Sequence, residues 1–123
     1  MEHLLFGKSK YQEKLMTVYN FAEQFCKAPG PRTEDIGPWS GKKFREEVLE
    51  IWFELGNPIE IDASGTVLNF GPSFLSEAFG KMAIKFGEKR FYEIIHISNE
   101  GNRNKKLKEL IIKHVSIALK KSK

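Results

Sequence analysis

The central stretch of the sequence reads Ile59-Glu60-Ile61-Asp62-Ala63, in which apolar and polar residues alternate. Alternation of this kind predicts a short β-strand with one buried face. The turn-forming residues Ser64-Gly65-Thr66 follow the strand. Residues 67–70 are a second short apolar piece, which forms either an edge strand or part of the connection to the next helix.

A helix is predicted directly after this connection. Gly71-Pro72 is expected to interrupt regular secondary structure, and Ser73 is the expected N-cap of the helix. Gly87 is expected to end the helix. The apolar residues between them recur at helical spacing: Phe74, Leu75, Ala78, Phe79, Met82 and Phe86.

A similar helix is predicted on the N-terminal side of the central strand. Ser40 is its expected N-cap, and Gly56-Asn57-Pro58 is a typical helix end. Before it, residues 29–41 are rich in proline and glycine and predict a structured loop. The apolar residues of the helix are Phe44, Val48, Ile51, Trp52 and Leu55.

The remaining segments complete an alternating pattern. Residues 15–21 and 91–97 predict strands, residues 98–104 a polar loop, and residues 107–119 a last helix. The order strand, helix, strand, helix, strand, helix predicts an α/β fold with at least part of the sheet parallel. Functional loops of such sheets lie beyond the carboxyl ends of the strands, which here means residues 29–41 and 64–73.

Composition predicts one soluble domain. The chain has 123 residues, of which 41% are hydrophobic, so it can bury a core. We expect residues 1–13 to form an N-terminal arm or edge strand and residues 14–123 to form the domain. The single cysteine excludes an intramolecular disulfide. The sequence also contains no apolar run long enough for a spanning helix or a signal peptide. Together these observations favour a cytoplasmic location.

The residue pattern does not predict catalysis. The three histidines and Cys26 do not pair at metal-ligand spacing, and neither a nucleophile elbow nor a phosphate-binding loop occurs. We therefore predict no catalytic residue, metal or cofactor. Asp62, at a strand end beside a glycine turn, is either a site carboxylate or a turn cap. Ser73, at a helix start, is either a cap or a phosphorylation target.

Positive charge is concentrated at the C-terminal end. Residues 103–123 contain eight Lys or Arg and one acidic residue, whereas residues 1–102 contain twelve basic and fifteen acidic residues. This pattern is typical either of a solvated helix face or of a nucleic-acid contact. The candidate nucleic-acid contacts are Arg103, Lys105, Lys106 and Lys113.

Several motifs together resemble a known family. The central stretch, followed by Pro72-Ser-Phe-Leu-Ser-Glu-Ala-Phe-Gly80, is similar to the STAS-like domain family of unknown function. The upstream Pro29-Gly-Pro-Arg32 and Ser40-Gly41 motifs occur in the order typical of that family. The resemblance covers about residues 14–119. It implies a small mixed or parallel β-sheet flanked by three to four helices, as in the distantly similar anti-anti-sigma factors of bacterial type.

The resemblance also implies a function. It predicts a non-enzymatic regulatory module that binds a partner protein through residues 64–79, and the expected partner is a histidine-kinase-like ATPase. In anti-anti-sigma factors the phosphorylated serine precedes this helix. Pro72 stands at that position here, so a phosphoacceptor could remain only at Ser73, the candidate, or at the nearby Ser76. The expected contact residues are Asp62, Ser64, Gly71, Ser73, Phe74, Glu77, Arg32 and Ser40.

Other interpretations remain open at this point. Phe74 is either an apolar anchor for the partner or a core residue. The chain could instead bind nucleic acid through the basic helix over residues 103–123, or bind a nucleotide or anion at the loops that carry Arg32, Ser40 and Ser73. No membrane contact is expected, and an edge strand near the N-terminus would allow a dimer.

Overall fold

The computed structural model of the protein describes residues 16–122, and its central layer is a three-stranded sheet. The strands are β1 (Thr17–Asn20), β2 (Ile59–Asp62) and β3 (Ile95–Ile97), in the order β1-β2-β3. Both pairings are parallel, which confirms the expected α/β class. The arm or edge strand expected over residues 1–13 lies outside the described residues.

Within residues 16–122, five helices connect and flank the strands. They are α1 (Phe21–Gln24), α2 (residues 41–55), α3 (residues 72–86), α4 (Glu88–Ile94) and α5 (Gly101–Lys121). Helices α2, α3 and α5 are the three that the alternating pattern predicts, whereas α1 and α4 are additional. None of the described helices is both long enough and apolar enough to cross a membrane.

The predicted ends of α2 are confirmed. The Ser40 side chain accepts a hydrogen bond from the Lys43 backbone N–H at 3.0 Å, which satisfies one of the free amides of the first turn. Gly56 ends the helix with φ 74°, a left-handed conformation that glycine adopts without strain. The middle turn of α2, Arg45–Leu49, is π-helical, as is the middle turn of α3, Ser76–Gly80.

The start of α3 differs from the prediction. The N-cap is Gly71 and the helix begins at Pro72, so Ser73 lies inside the first turn with its side chain exposed. Proline suits this position because it has no N–H to leave unpaired and its φ is already helical. Residues 67–70 do not form a strand and belong to the connection.

The strand predicted over residues 91–97 is wrong for its first half. Residues Glu88–Ile94 form α4, and only Ile95–Ile97 are extended. A short apolar run does not distinguish a buried helix from a buried strand, because Phe91 and Ile94 also share a helix face. The loop expected over residues 98–104 is likewise shorter than predicted, since α5 begins at Gly101.

The core lies between the sheet and the long helices. Ile59 and Ile61 of β2 are fully buried on this side of the sheet. Six aromatic rings pack together next to the carboxyl ends of β1 and β2 and join α1, α2 and α3 to the loops between them: Phe21, Phe25, Phe44, Phe70, Phe74 and Phe79. Each fully buried phenylalanine contributes about 1.5–3 kcal/mol of hydrophobic stabilisation.

Candidate functional site

Two loops meet at the carboxyl edge of the sheet, as the alternating pattern predicts. The first loop, residues 25–40, comes after β1 and α1, and the second loop, residues 63–71, comes after β2. The strands are parallel neighbours, so both loops lie at the same edge. The Val67 N–H donates to the Lys27 carbonyl at 2.8 Å and ties the second loop to the first.

The glycines of the two upstream motifs have a steric role. A Cβ on Gly30 would lie 2.6 Å from the Trp39 carbonyl oxygen, and a Cβ on Gly41 would lie 2.7 Å from that of Phe74. Both distances are shorter than van der Waals contact allows. Gly30 therefore lets the first loop close on itself through its N–H···O bond to Trp39, 2.9 Å long, and Gly41 lets the start of α2 touch the start of α3.

A buried ionic cluster joins the two helices behind these loops. The side chain of Glu77 on α3 is 4% exposed, and its Oε2 lies 2.9 Å from Arg45 Nη2 and 3.0 Å from Lys81 Nζ. Arg32 of the first loop lies 3.6 Å from the other carboxylate oxygen. Arg45 also donates from Nε to the Glu77 backbone carbonyl, so the π-helical turns of α2 and α3 are linked through one guanidinium.

This environment keeps Glu77 ionised. Burial by itself raises the pKa of the Glu77 carboxyl, but hydrogen bonds from Arg45 and Lys81 outweigh it and leave the pKa lowered. The guanidinium of Arg45 binds a second carboxylate as well as that of Glu77, because its Nη1 donates to Glu50 at 2.7 Å. Glu77 therefore connects α3 to the first loop and α2 as an anion near neutral pH.

Asp62 is a turn cap, one of its two expected roles, and it also belongs to a second polar network. Its Oδ1 accepts from the Ser64 N–H at 2.9 Å and from Asn104 Nδ2 at 2.9 Å. The hydrogen bond from Asn104 lowers the pKa of the Asp62 carboxyl, and this effect outweighs burial, which by itself raises the pKa. Asn104 is fully buried, and its Oδ1 accepts from the Ala63 N–H at 2.7 Å. The start of α5 is thereby fixed to the end of β2.

We expect Asn104→Ala to lower the free energy of unfolding by about 2 kcal/mol, because it leaves the buried Ala63 N–H without an acceptor. The matched control is Asn102→Ala, which truncates an exposed asparagine in the same turn and should change stability by less than about 0.5 kcal/mol. Urea denaturation of both variants measures the difference. Equal stability of the two variants would contradict the role of Asn104.

The two loops carry several large apolar side chains that are exposed to solvent. Four of the nine large hydrophobic residues that are exposed in the described chain lie here. Ile36 and Trp39 of the first loop are 75% and 43% exposed, and Val67 and Leu68 of the second are 61% and 55% exposed. The Trp39 ring rests on Phe25 at 5.4 Å, which holds it in place from below. We call these four residues the loop patch.

The structure places the other predicted contact residues in two groups. Ser64 and Ser73 are exposed at this edge, Gly71 is half-buried, and the side chain of Arg32 is 48% exposed. Ser40 and Glu77 are buried, and their side chains are used within the protein. Phe74 is also fully buried, so the structure confirms the core interpretation and corrects the expectation of an exposed anchor.

The four predicted nucleic-acid contacts all lie on α5. Lys105, Lys106 and Lys113 are exposed, and Arg103 is half-buried and donates to Asn69 of the second loop at 2.7 Å. Lys105 and Lys106 point in directions about 100° apart on a helix. Within residues 16–122, there is also no cluster of three or more His, Cys, Asp or Glu side chains with metal-ligand geometry.

Sequence reasoning missed two kinds of residue at the candidate site. Arg45 and Asn104 act through partners that are 32 and 42 positions away, and nothing in the local sequence marks these pairs. Two residues of the loop patch, by contrast, could have been recognised from the sequence. Trp39 and Ile36 stand among prolines and glycines, where no core-facing helix or strand could bury them.

Comparison with known proteins identifies one family. A family model described as a STAS-like domain of unknown function (DUF4325) matches residues 40–105, which is more than half of the chain. The match runs from the cap of α2 to the first turn of α5 and includes β2, β3 and the second loop. No curated protein and no solved structure matches the chain.

Proposed function

Because the chain belongs to the STAS-like domain family of unknown function, we propose that it is a non-enzymatic regulatory module that binds a partner protein through the two loops at the carboxyl edge of its sheet. The observation that carries this proposal is the loop patch. Its four side chains expose apolar surface on two loops that are hydrogen-bonded to each other, and apolar surface concentrated in this way is typical of a site of contact with another molecule.

The surroundings of the loop patch suit protein recognition. The backbone of both loops is held by hydrogen bonds and by the close contacts at Gly30 and Gly41, so little order has to be gained on binding. Trp39 supplies an aromatic side chain of the type that is enriched at interface hot spots. Polar residues at the rim, among them Arg32, Ser64 and Ser73, would provide specificity.

The proposed partner is an ATPase of the histidine-kinase-like type, as the resemblance to anti-anti-sigma factors implies. In this proposal Phe74 supports the contact surface from inside the core instead of touching the partner. Ser73 is exposed next to the second loop and is the candidate phosphoacceptor. A phosphate there would add about two negative charges at the rim and would change the affinity for the partner.

We expect the double variant Ile36→Ser/Val67→Ser to lose about 30-fold or more in partner affinity, which is the effect of losing one hot spot. The matched control is Ile51→Ser/Leu55→Ser, which changes two residues of similar exposure on α2. Affinity purification from the source cells with wild type and both double variants, followed by titration of the recovered ATPase, measures the effect.

Each possible outcome of this experiment bears on the proposal. Recovery of one ATPase by wild type and the control, but not by the loop variant, supports it. Equal recovery of a protein by all three chains contradicts the location of the site. If instead only nucleic acid is recovered, and substitution of Lys105, Lys106 and Lys113 abolishes its recovery, the basic helix is the functional surface and the proposal fails.

A further inference from the structure

Residues 67–69 form the tip of the second loop and carry two of the four side chains of the loop patch. The loop is anchored on both sides of this tip. On one side, Thr66 Oγ1 donates to the Ala63 carbonyl at 2.8 Å and closes a turn. On the other side, the Phe70 ring is buried and packs with the other aromatic rings of the core. The side chains of the tip itself are exposed, so its order depends on hydrogen bonds to neighbouring elements.

Within residues 16–122, two hydrogen bonds hold the tip. The Val67 N–H donates to the Lys27 carbonyl of the first loop at 2.8 Å. At the other end of the tip, the Asn69 Oδ1 accepts from Arg103 Nη1 at 2.7 Å. The second bond connects the tip to the first turn of α5. Loss of either bond would leave the tip attached to one neighbouring element instead of two.

The first turn of α5 is a suitable support for the tip. Leu107 and Ile111 bury this helix against the core, which fixes its position. Arg103 is half-buried and directly precedes Asn104, which is fully buried and accepts from the Ala63 N–H at 2.7 Å. Two consecutive residues of one helix therefore hold the start of the second loop and its tip.

We propose that Arg103 is a positioning residue for the loop patch, because through Asn69 it holds the tip in the conformation that the partner binds. This inference rests on the proposed function of the loop patch. An ordered tip favours binding, since less conformational entropy is lost when the partner contacts it. Arg103 thus acts within the protein, whereas the charge pattern of the sequence predicted that it contacts nucleic acid.

The first measurement is amide hydrogen exchange of the full-length chain, followed by NMR. It compares wild type with Arg103→Ala, Asn69→Ala and the double variant. The matched control is Lys108→Ala, which removes an exposed positive charge from the same helix. The exchange rate of the Val67 N–H reports the order of the tip, because this group is hydrogen-bonded to the first loop.

We expect Arg103→Ala to speed the exchange of the Val67 N–H about fivefold, which is the effect of one hydrogen bond. Asn69→Ala and the double variant should have the same effect as Arg103→Ala, and Lys108→Ala should have none. Exchange of the Ala63 N–H should stay the same in every chain. That group is held by Asn104, so its exchange rate shows that the start of α5 remains in place.

The second measurement is the affinity for the ATPase that the wild-type chain recovers in affinity purification. Arg103→Ala and Asn69→Ala should each lower this affinity about threefold. The double variant should bind as tightly as either single variant, because all three lack the same hydrogen bond. A direct contact between Arg103 and the partner would instead make the two losses additive. Lys108→Ala should bind like wild type.

Three results would overturn the inference. Unchanged exchange of the Val67 N–H in Arg103→Ala would show that the tip is ordered without Arg103. Additive losses of affinity would show that Arg103 touches the partner. Faster exchange with unchanged affinity would show that the order of the tip does not matter for binding. If the wild-type chain recovers no ATPase, the proposed function fails, whereas the exchange rates still decide whether Arg103 holds the tip.

Discussion

Replacing Phe74 by alanine is expected to lower the free energy of unfolding by about 3–5 kcal/mol. The Phe74 ring is fully buried, and its centroid lies 5.4 Å from that of Phe70, 5.9 Å from Phe44 and 6.0 Å from Phe21. Truncation removes the apolar area of the ring and leaves a cavity between α1, α2 and α3. Total stabilities of small domains are about 5–15 kcal/mol, so a large share would be lost.

The measurement is urea denaturation of Phe74→Ala beside two controls. Ser73→Ala changes the exposed neighbouring residue and should stay within about 0.5 kcal/mol of wild type. Phe74→Leu keeps most of the apolar volume and should fall between the other two variants. A Phe74→Ala chain as stable as Ser73→Ala would contradict the packing of this ring in the core.

This expectation also changes how the proposed partner site should be mapped. A chain that carries Phe74→Ala would lose partner binding through partial unfolding, whichever surface the partner contacts. Substitutions in the loop patch avoid this ambiguity, because Ile36, Val67 and Leu68 are more than half exposed. Partner affinity and stability should therefore respond to different residues, although Phe74 directly follows Ser73.

Replacing Arg45 by methionine is expected to cost about 3 kcal/mol of stability, because it leaves the buried Glu77 carboxylate without its closest cation. The variant also removes the donor to the Glu77 backbone carbonyl. Lys81 and Arg32 remain near the carboxylate, but their side chains are 54% and 48% exposed and are screened by water. Arg90→Met, which removes an exposed pair with Glu93, is the control and should change little.

The cost of Arg45→Met should depend on pH. The folded-state pKa of Glu77 is below the ordinary value of 4.5, so its contribution is fully present above pH 4.5 and is lost as the pH falls through the folded pKa. The difference between wild type and Arg45→Met should accordingly be largest near neutral pH and should shrink in acid. A difference that is constant from pH 7 to pH 3 would show that Arg45 stabilises the fold through packing and its bond to the Glu77 backbone carbonyl, and not through the Glu77 carboxylate.

The long helices and the α/β class could be predicted because their signals are local. Ser40 marks the start of α2 because its side chain accepts a hydrogen bond from a free backbone N–H of the first turn. Gly56 marks the end because glycine readily adopts the positive φ that is found there. The segment over residues 91–97 could not be assigned in the same way. This segment is short and apolar. Its first half is helical because Gly87 is the N-cap of α4 and because Phe91 and Ile94 on that helix pack into the core.

The candidate site was predictable only in its location. The strand–loop–helix order places both loops at one edge of the sheet, and the family motifs fall on these loops and on the adjoining parts of β2, α2 and α3. The roles of individual residues depended on the packing instead. Ser40 and Asp62 cap local structure, whereas Phe74 lies in the core and the exposed apolar side chains belong to Ile36, Trp39, Val67 and Leu68.

The amino-acid sequence by itself determined the order of the three strands and the three long helices, the family and the edge of the sheet at which the two loops meet. These features follow from periodicity, capping residues and glycine positions, which act over a few neighbouring residues. Only the tertiary structure decided that Arg45 neutralises Glu77, that Asn104 holds the end of β2 and that Phe74 is internal. Each of these contacts joins residues from separate elements, and their burial and partners exist only when the elements pack together.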